Sequence, residues 1–269
     1  MNSATATPKT TKNITAFFVL TFVMSLPPYI VAALVPQEMV MLTGLIIALA
    51  PITAALILAY RENRADGAKR LLKRCFDYKK ITRKTWYAPI FLLMPILFLL
   101  ALGIMILTGE PLPDTLFPVV AAPVAFLAFF IFALFEEVGW MGYAFDPMQD
   151  RWNALIASVI LGIIWAAWHL PLYILSGQGP VRITVQLISL IGIRTLIVWI
   201  YNNTGKSVFA TILIHAVYNV CTLAVASFYI SLGHLITCIF IIITAVIVTC
   251  LWDPETLTQF RFRKTEQVY

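Results

Sequence analysis

The sequence predicts an all-α fold, a polytopic membrane helical bundle of about eight transmembrane helices. Three observations carry that expectation. Of 269 residues, 61% are hydrophobic and 12% charged, whereas a soluble domain carries roughly 25% charged residues on its surface. The apolar residues gather into runs of about 20, the length that crosses a ~30 Å hydrocarbon core. Ten of the 19 lysines and arginines lie between Arg61 and Lys84, a basic cluster between two such runs. A soluble enzyme, a disordered tail and a nucleic-acid module are excluded. The net charge of +6 reads as membrane topology, with contact to anionic headgroups, and no nucleic-acid partner is expected.

In chain order, residues 1–13 form a short N-terminal tail, and spans are expected near 14–35, 40–60, 86–107, 118–145, 153–175, 183–201, 207–230 and 233–252. Together, 14–252 make one transmembrane domain, followed by a C-terminal tail, 253–269. The first run is too long for a signal peptide, and no convincing small-residue cleavage site follows it. Pro36 divides the first two spans, and a basic loop, 61–85, follows the second. Gly109 to Pro113 and Gly177 to Pro180 mark two further linkers. Prolines inside spans (Pro27, Pro28, Pro51, Pro95, Pro123, Pro171) are tolerated where neighbours satisfy the freed carbonyls. Placing the basic loop in the cytoplasm puts both termini there. Seventeen of the 19 cations then share that side, Arg182 and Arg194 being the exceptions. The expected location is the cell membrane, multi-pass. No internal repeat is visible, which weakens a transporter architecture. Cys75, Cys221, Cys238 and Cys250 form no C-x-x-C pair and read as small apolar filler. The last four residues, Glu266 to Tyr269, are no prenylation box.

Ionisable groups embedded in a bilayer are costly and by default point to function. Five are expected here: Glu136, Glu137, His169, Arg194 and His215, with His234 nearer an interface. The bland alternative is an internal ion pair, above all Glu137 with Arg194. Depth separates the readings. Glu136 stands ten residues before Asp146, His215 nine beyond Lys206 and Arg194 eight before Asn202. At 1.5 Å per residue these are ~15, ~13 and ~12 Å from one face. His169, eight residues before Gly177, comes out at ~18 Å from that face, within the scatter of tilt. Four spans bring polar groups to one depth. His215 and Asn219 are i,i+4 and share a helical face, as do Trp165 and His169; Glu136 and Glu137 diverge by ~100°.

Two chemical readings stay open on these residues. One is a zinc site from Glu136, His169 and His215. The other is a metal-free hydrolase, with a carboxylate and a histidine activating water and a His/Asn pair holding the oxyanion. No H-E-x-x-H, no G-x-S-x-G and no credible nucleophilic cysteine accompany them. A proton-coupled transporter also remains.

The stretches Phe135-Glu136-Glu137-Val138-Gly139-Trp140-Met141, Trp165-Ala166-Ala167-Trp168-His169 and His215-Ala216-Val217-Tyr218-Asn219 resemble the CAAX-protease and bacteriocin-processing family. These are intramembrane endopeptidases, often called Abi proteins, related to the Ras-converting CAAX prenyl endopeptidase. Their motifs run E-E-x-x-x-R, F-x-x-x-H and H-x-x-x-N. Three in order, each in an apolar span, are specific, and Asn203-Thr204-Gly205-Lys206-Ser207 before the last is also family-like. The likeness covers about residues 118–222.

The resemblance implies hydrolysis of a peptide bond in a membrane protein or peptide, at the bilayer. Family members process CAAX-type C-termini, mature peptides or confer bacteriocin self-immunity. Glu136 corresponds to the catalytic base, His169 to its partner, His215 and Asn219 to the oxyanion pair, and Glu137 to a structural carboxylate. Many relatives are described as metalloproteases, but the glutamate mechanism requires no metal; no cofactor is expected to be obligatory, with zinc as the alternative. Two departures stand out: Met141 replaces the motif arginine, and Trp165 replaces the motif phenylalanine. Arg194 is the cation at the right depth to pair with Glu137. A non-catalytic immunity or chaperone-like protein is the competing reading.

Overall fold

The computed structural model describes residues 13–109, 119–224 and 232–262. The helices are α1 (Ile14–Leu34), α2 (Gln37–Lys73), α3 (Tyr87–Thr108), α4 (Ala122–Glu137), α5 (Asp146–Arg151), α6 (Ala154–Leu175), α7 (Pro180–Asn203), α8 (Val208–Ala224) and α9 (Leu232–Leu251). A π-helical segment, Val138–Phe145, joins α4 to α5 without a break. Counting that joined stretch once, seven described helices are long and apolar enough to cross a membrane, and α8 is a shorter apolar helix. Each expected span holds one of these eight stretches. The end of the seventh expected span, 225–230, and the outer parts of both tails, 1–12 and 263–269, lie outside the described residues.

The outer surface is apolar. Leu26 and Leu34 of α1, Leu107 of α3, Val124 of α4 and Val246 of α9 all face outward. A surface of this kind is unfavourable in water and natural against lipid, where the helices satisfy their own backbone groups. The interior inverts the pattern: Glu136, Glu137, Arg194 and His215 are buried, as are the large side chains of Trp140, Trp165 and Tyr201. Helix α6 packs along α7, α4 along α8 and α2, and α9 against α7 and α3. Small residues permit the closest crossings. A Cβ added at Gly139 would lie 2.6 Å from the carbonyl oxygen of Pro51, so α2 and the π-helical segment meet backbone to backbone.

The basic stretch departs from expectation. Instead of a loop over 61–85, α2 continues to Lys73, broken once at Asn63 and Arg64, the latter at φ +51°. Single 3₁₀ turns follow at Arg74–Phe76, Tyr78–Lys80 and Lys84–Trp86. The physical reason is that Ala, Leu, Lys and Arg are good helix formers; charge decides the side of the membrane, not the backbone. The stretch also braces the bundle. Arg74 donates to the Gly142 carbonyl (2.6 Å) and the Tyr201 hydroxyl (2.5 Å). The Asp77 carboxylate accepts from the Ser207 hydroxyl (2.8 Å) and the Phe209 N–H (3.1 Å), capping α8.

The first part of the expected C-terminal tail is likewise built into the fold. Glu255 and Pro254 carbonyls accept from the Ala154 and Leu155 N–H groups (2.9 and 3.1 Å), free donors of the first turn of α6. Leu257 is buried, and Trp252 bridges to Phe260. The four cysteines are free.

Candidate active site

Helix α4 ends on the two glutamates, and the helix widens immediately after them. Within the widened stretch Gly139 and Gly142 carry no side chain, and Arg74 donates to the Gly142 carbonyl. Both carboxylates point inward, to different helices. Glu136 Oε2 accepts a hydrogen bond from the Trp165 indole N–H of α6 (2.8 Å). Glu137 accepts from Arg194 Nη1 of α7 through both oxygens (2.8 and 3.1 Å) and lies 2.9 Å from His215 Nδ1 of α8.

Trp165 is the centre of the cluster. The Arg194 guanidinium carbon stands 4.1 Å from its ring centroid, a cation–π stack. The His169 and His215 rings meet the indole edge-to-face at 5.0 and 5.3 Å. His169 is further held between Trp168 (4.8 Å) and Tyr173 (5.8 Å), with Nδ1 2.9 Å from the Trp165 carbonyl. A carbonyl oxygen only accepts, so that contact requires the proton on Nδ1 and leaves Nε2 as the free ring atom. The same logic applies to His215 against the Glu137 carboxylate. Asn219, half-buried, follows His215 by one turn of α8.

The start of α8 fixes the register of His215 and Asn219. Gly205 adopts φ +67°, and a Cβ there would lie 2.9 Å from the Lys80 carbonyl oxygen, so only glycine suits the turn. Ser207 caps the helix by accepting from the Ala210 N–H (3.2 Å). Asn203 ties the end of α7 to the carbonyls of Trp199 and Leu257 (2.8 and 2.7 Å). The Asn203–Ser207 run is thus a structural hinge between the two site helices.

Of the seven residues singled out in the sequence, Glu136, Glu137, His169, Arg194 and His215 gather around the seventh partner of the set, Trp165; Asn219 adjoins along α8. Arg194 reaches Glu137 as its depth suggests, with both side chains fully buried. Arg194 Nε and Nη2 find no hydrogen-bond partner among the described residues; the indole face is their neighbour. Met141 is buried within the π-helical segment. His234, expected near a span end, is the third residue of α9, with its side chain buried. Three contacts escape sequence reasoning: the Trp165 indole on Glu136, the Glu137–His215 bond, and the brace from α1. In that brace the Tyr29 hydroxyl donates to the Trp168 carbonyl, and the Trp168 indole donates to Ser25 (2.8 Å). Ser25 and Tyr29, polar and i,i+4 in an apolar span, were the available signal for the last.

Both histidines present the tautomer a zinc ligand would need, with Nδ1 anchored and Nε2 free. Among the described residues no three His, Cys, Asp or Glu side chains come together as metal ligands, and Glu136 has one oxygen engaged with the indole and the other free. As placed, Glu136, His169 and His215 do not converge as a three-ligand group among the described residues.

The family described as Type II CAAX prenyl endopeptidase Rce1-like matches residues 118–221, which contain all seven site residues. CAAX prenyl protease 2 of Methanococcus maripaludis is 32% identical over 195 residues, 67% of this chain and 70% of that protein. That similarity, spread well beyond the three motifs, makes the chain a member of the Rce1-like, type II CAAX prenyl endopeptidase family.

Proposed function

We propose that the protein is an intramembrane endopeptidase that hydrolyses a peptide bond in a membrane-associated protein or peptide, with Glu136 as general base. The observation that carries this reading is the convergence of Glu136, His169 and His215 on one tryptophan deep in the bundle. Water is the nucleophile. Glu136, held through Oε2, takes a proton from water on its other oxygen as the hydroxide adds to the scissile carbonyl. His169 Nε2 accepts the second water hydrogen and orients the attack. The carbonyl oxygen becomes an oxyanion facing His215 and Asn219. With Nδ1 on Glu137, His215 donates from Nε2 only when that nitrogen is protonated too; Asn219 donates from its amide. Collapse of the adduct breaks the C–N bond. The proton on Glu136 passes to the leaving amine, leaving a new carboxyl end, a new amino end and the carboxylate base restored.

Glu137 and Arg194 serve this scheme by holding His215. In this reading Arg194 supplies the cation missing at Met141, which favours a working site over a degenerate, non-catalytic one. The relative's name directs the choice of substrate: a prenylated peptide ending in a CAAX tetrapeptide is the first to try. Purified protein in detergent micelles should cleave an internally quenched peptide of that kind, and Glu136→Gln should lower kcat by at least ~10²-fold with folding intact. Full activity of Glu136→Gln would overturn the assignment. Activity that survives exhaustive chelation supports the metal-free scheme, whereas loss restored by zinc would replace it.

A further inference from the structure

One departure from the family motifs, and the cation that pairs with Glu137 in the absence of the other, meet in a single contact. Trp165 stands where the motif has phenylalanine, and its indole N–H is the atom that binds Glu136 (2.8 Å); a phenylalanine has no donor to offer. Met141 stands where the motif has arginine, and Arg194, which pairs with Glu137, lies 4.1 Å over the face of that same indole. We propose that Trp165 is a positioning residue for Glu136, with Arg194 clamping the indole from above, so that the two side chains act as one unit.

The geometry supports three consequences. The Glu136 carboxylate has its Oε2 fixed by a donor on a neighbouring helix, which leaves Oε1 as the oxygen available to water. The indole itself has little freedom. It is enclosed by the His169 and His215 rings at 5.0 and 5.3 Å and is only 1% exposed. A cation stacked on an indole also polarises the ring, so its N–H becomes a stronger donor toward a carboxylate. Arg194 has the means to remain there: one nitrogen holds Glu137 (2.8 Å), while Nε and Nη2 have no other hydrogen-bond partner among the described residues. Lysine could still neutralise Glu137 but has no planar group to lie on the ring.

This inference rests on the reading of Glu136 as the base, and the experiment separates the two. Trp165→Phe keeps an aromatic face beneath Arg194 but removes the N–H along with the smaller ring that carries it, so the kcat–KM split and the resonance readout are needed to tell the lost donor from lost packing. With the prenylated CAAX peptide, kcat is expected to fall about 10- to 100-fold, the scale of a hydrogen bond to a charged group. KM should stay within about two-fold, a split that a general packing defect would not give. Arg194→Lys should lower kcat by a smaller factor. Combined with Trp165→Phe it should add little, because both act through one contact. A second readout needs no substrate. In protein labelled with ¹⁵N-tryptophan, the indole resonance that disappears in Trp165→Phe should move upfield in Glu136→Ala as the carboxylate partner is lost. Wild-type kcat in Trp165→Phe beside an inactive Glu136→Gln would overturn the inference and leave the base assignment standing. So would an indole resonance indifferent to Glu136→Ala. A fully active Glu136→Gln would instead remove the base assignment itself, and this inference with it.

Discussion

At the scale of single residues, the Arg194–Glu137 pair has the largest consequence for stability. Both side chains are wholly buried, and removing one partner strands the other in a medium that cannot solvate it. Arg194→Leu should therefore destabilise the protein by about 3–5 kcal/mol, read as a lowered midpoint of denaturant unfolding in micelles. Met141→Arg in that background should recover only part of the loss. Residues i and i+5 stack in the π-helical segment, so position 141 does not stand squarely over Glu137. At the site itself, Asn219→Ala should lower kcat by ~10²- to 10³-fold if its amide meets the oxyanion; unchanged turnover would remove it from the scheme. Much of this scale was legible in the sequence. Charged groups are so unfavourable in an apolar span that each one announces itself, and depth alone aligned Glu137 with Arg194. Hydrogen-bond direction was not legible. Nothing in the spacing says that Glu137 also holds His215, or that an indole turns its N–H rather than its face toward Glu136.

Among the elements, the π-helical segment and the cap of α8 set the positions of the two ends of the site. Gly139 touches the Pro51 carbonyl so closely that a methyl group has nowhere to go. Gly139→Ala should force α2 outward and destabilise by about 1–3 kcal/mol, the usual scale of overpacking; a melting temperature equal to wild type would refute the tight crossing. The Asp77 cap is a second test. Asp77→Ala should weaken α8 by about 0.5–2 kcal/mol, seen as faster hydrogen exchange at Val208 and Phe209. The helices themselves were readable because each apolar run of bilayer length has few alternatives in lipid. The widening after Glu137 was not, since nothing in a run of apolar residues and two glycines separates a π-helical turn from an α-helical one, and its Arg74–Gly142 contact is long-range. The extension of α2 was hidden for the opposite reason. Its charges advertised a loop, while its helix formers and the buried Leu71 argued for continuation.

For the molecule as a whole, the asymmetry of seventeen cations leads to the proposal that the basic stretch and both termini face the cytoplasm. A single cysteine at the exposed Lys79, in a chain otherwise free of cysteine, should react with a membrane-impermeant maleimide only after the cells are opened; labelling of intact cells would reverse the topology. The whole also depends on a segment that composition assigned to a tail. The turn from Pro254 to Leu257 holds the start of α6 through Ala154 and Leu155, and the end of α7 through Asn202 and Asn203 (2.7 Å each to Thr256 and Leu257). Those helices carry Trp165, His169 and Arg194. During synthesis they emerge about 50 to 100 residues before the turn that fastens them, at 5–20 residues per second. A nascent chain thus spends several seconds with Glu136, His169, His215 and Asn219 all made but α6 and α7 unfastened. Ribosome-stalled chains released before Asp253 should be inserted yet inactive. Emergence of this late turn is then the step that would complete the proposed site.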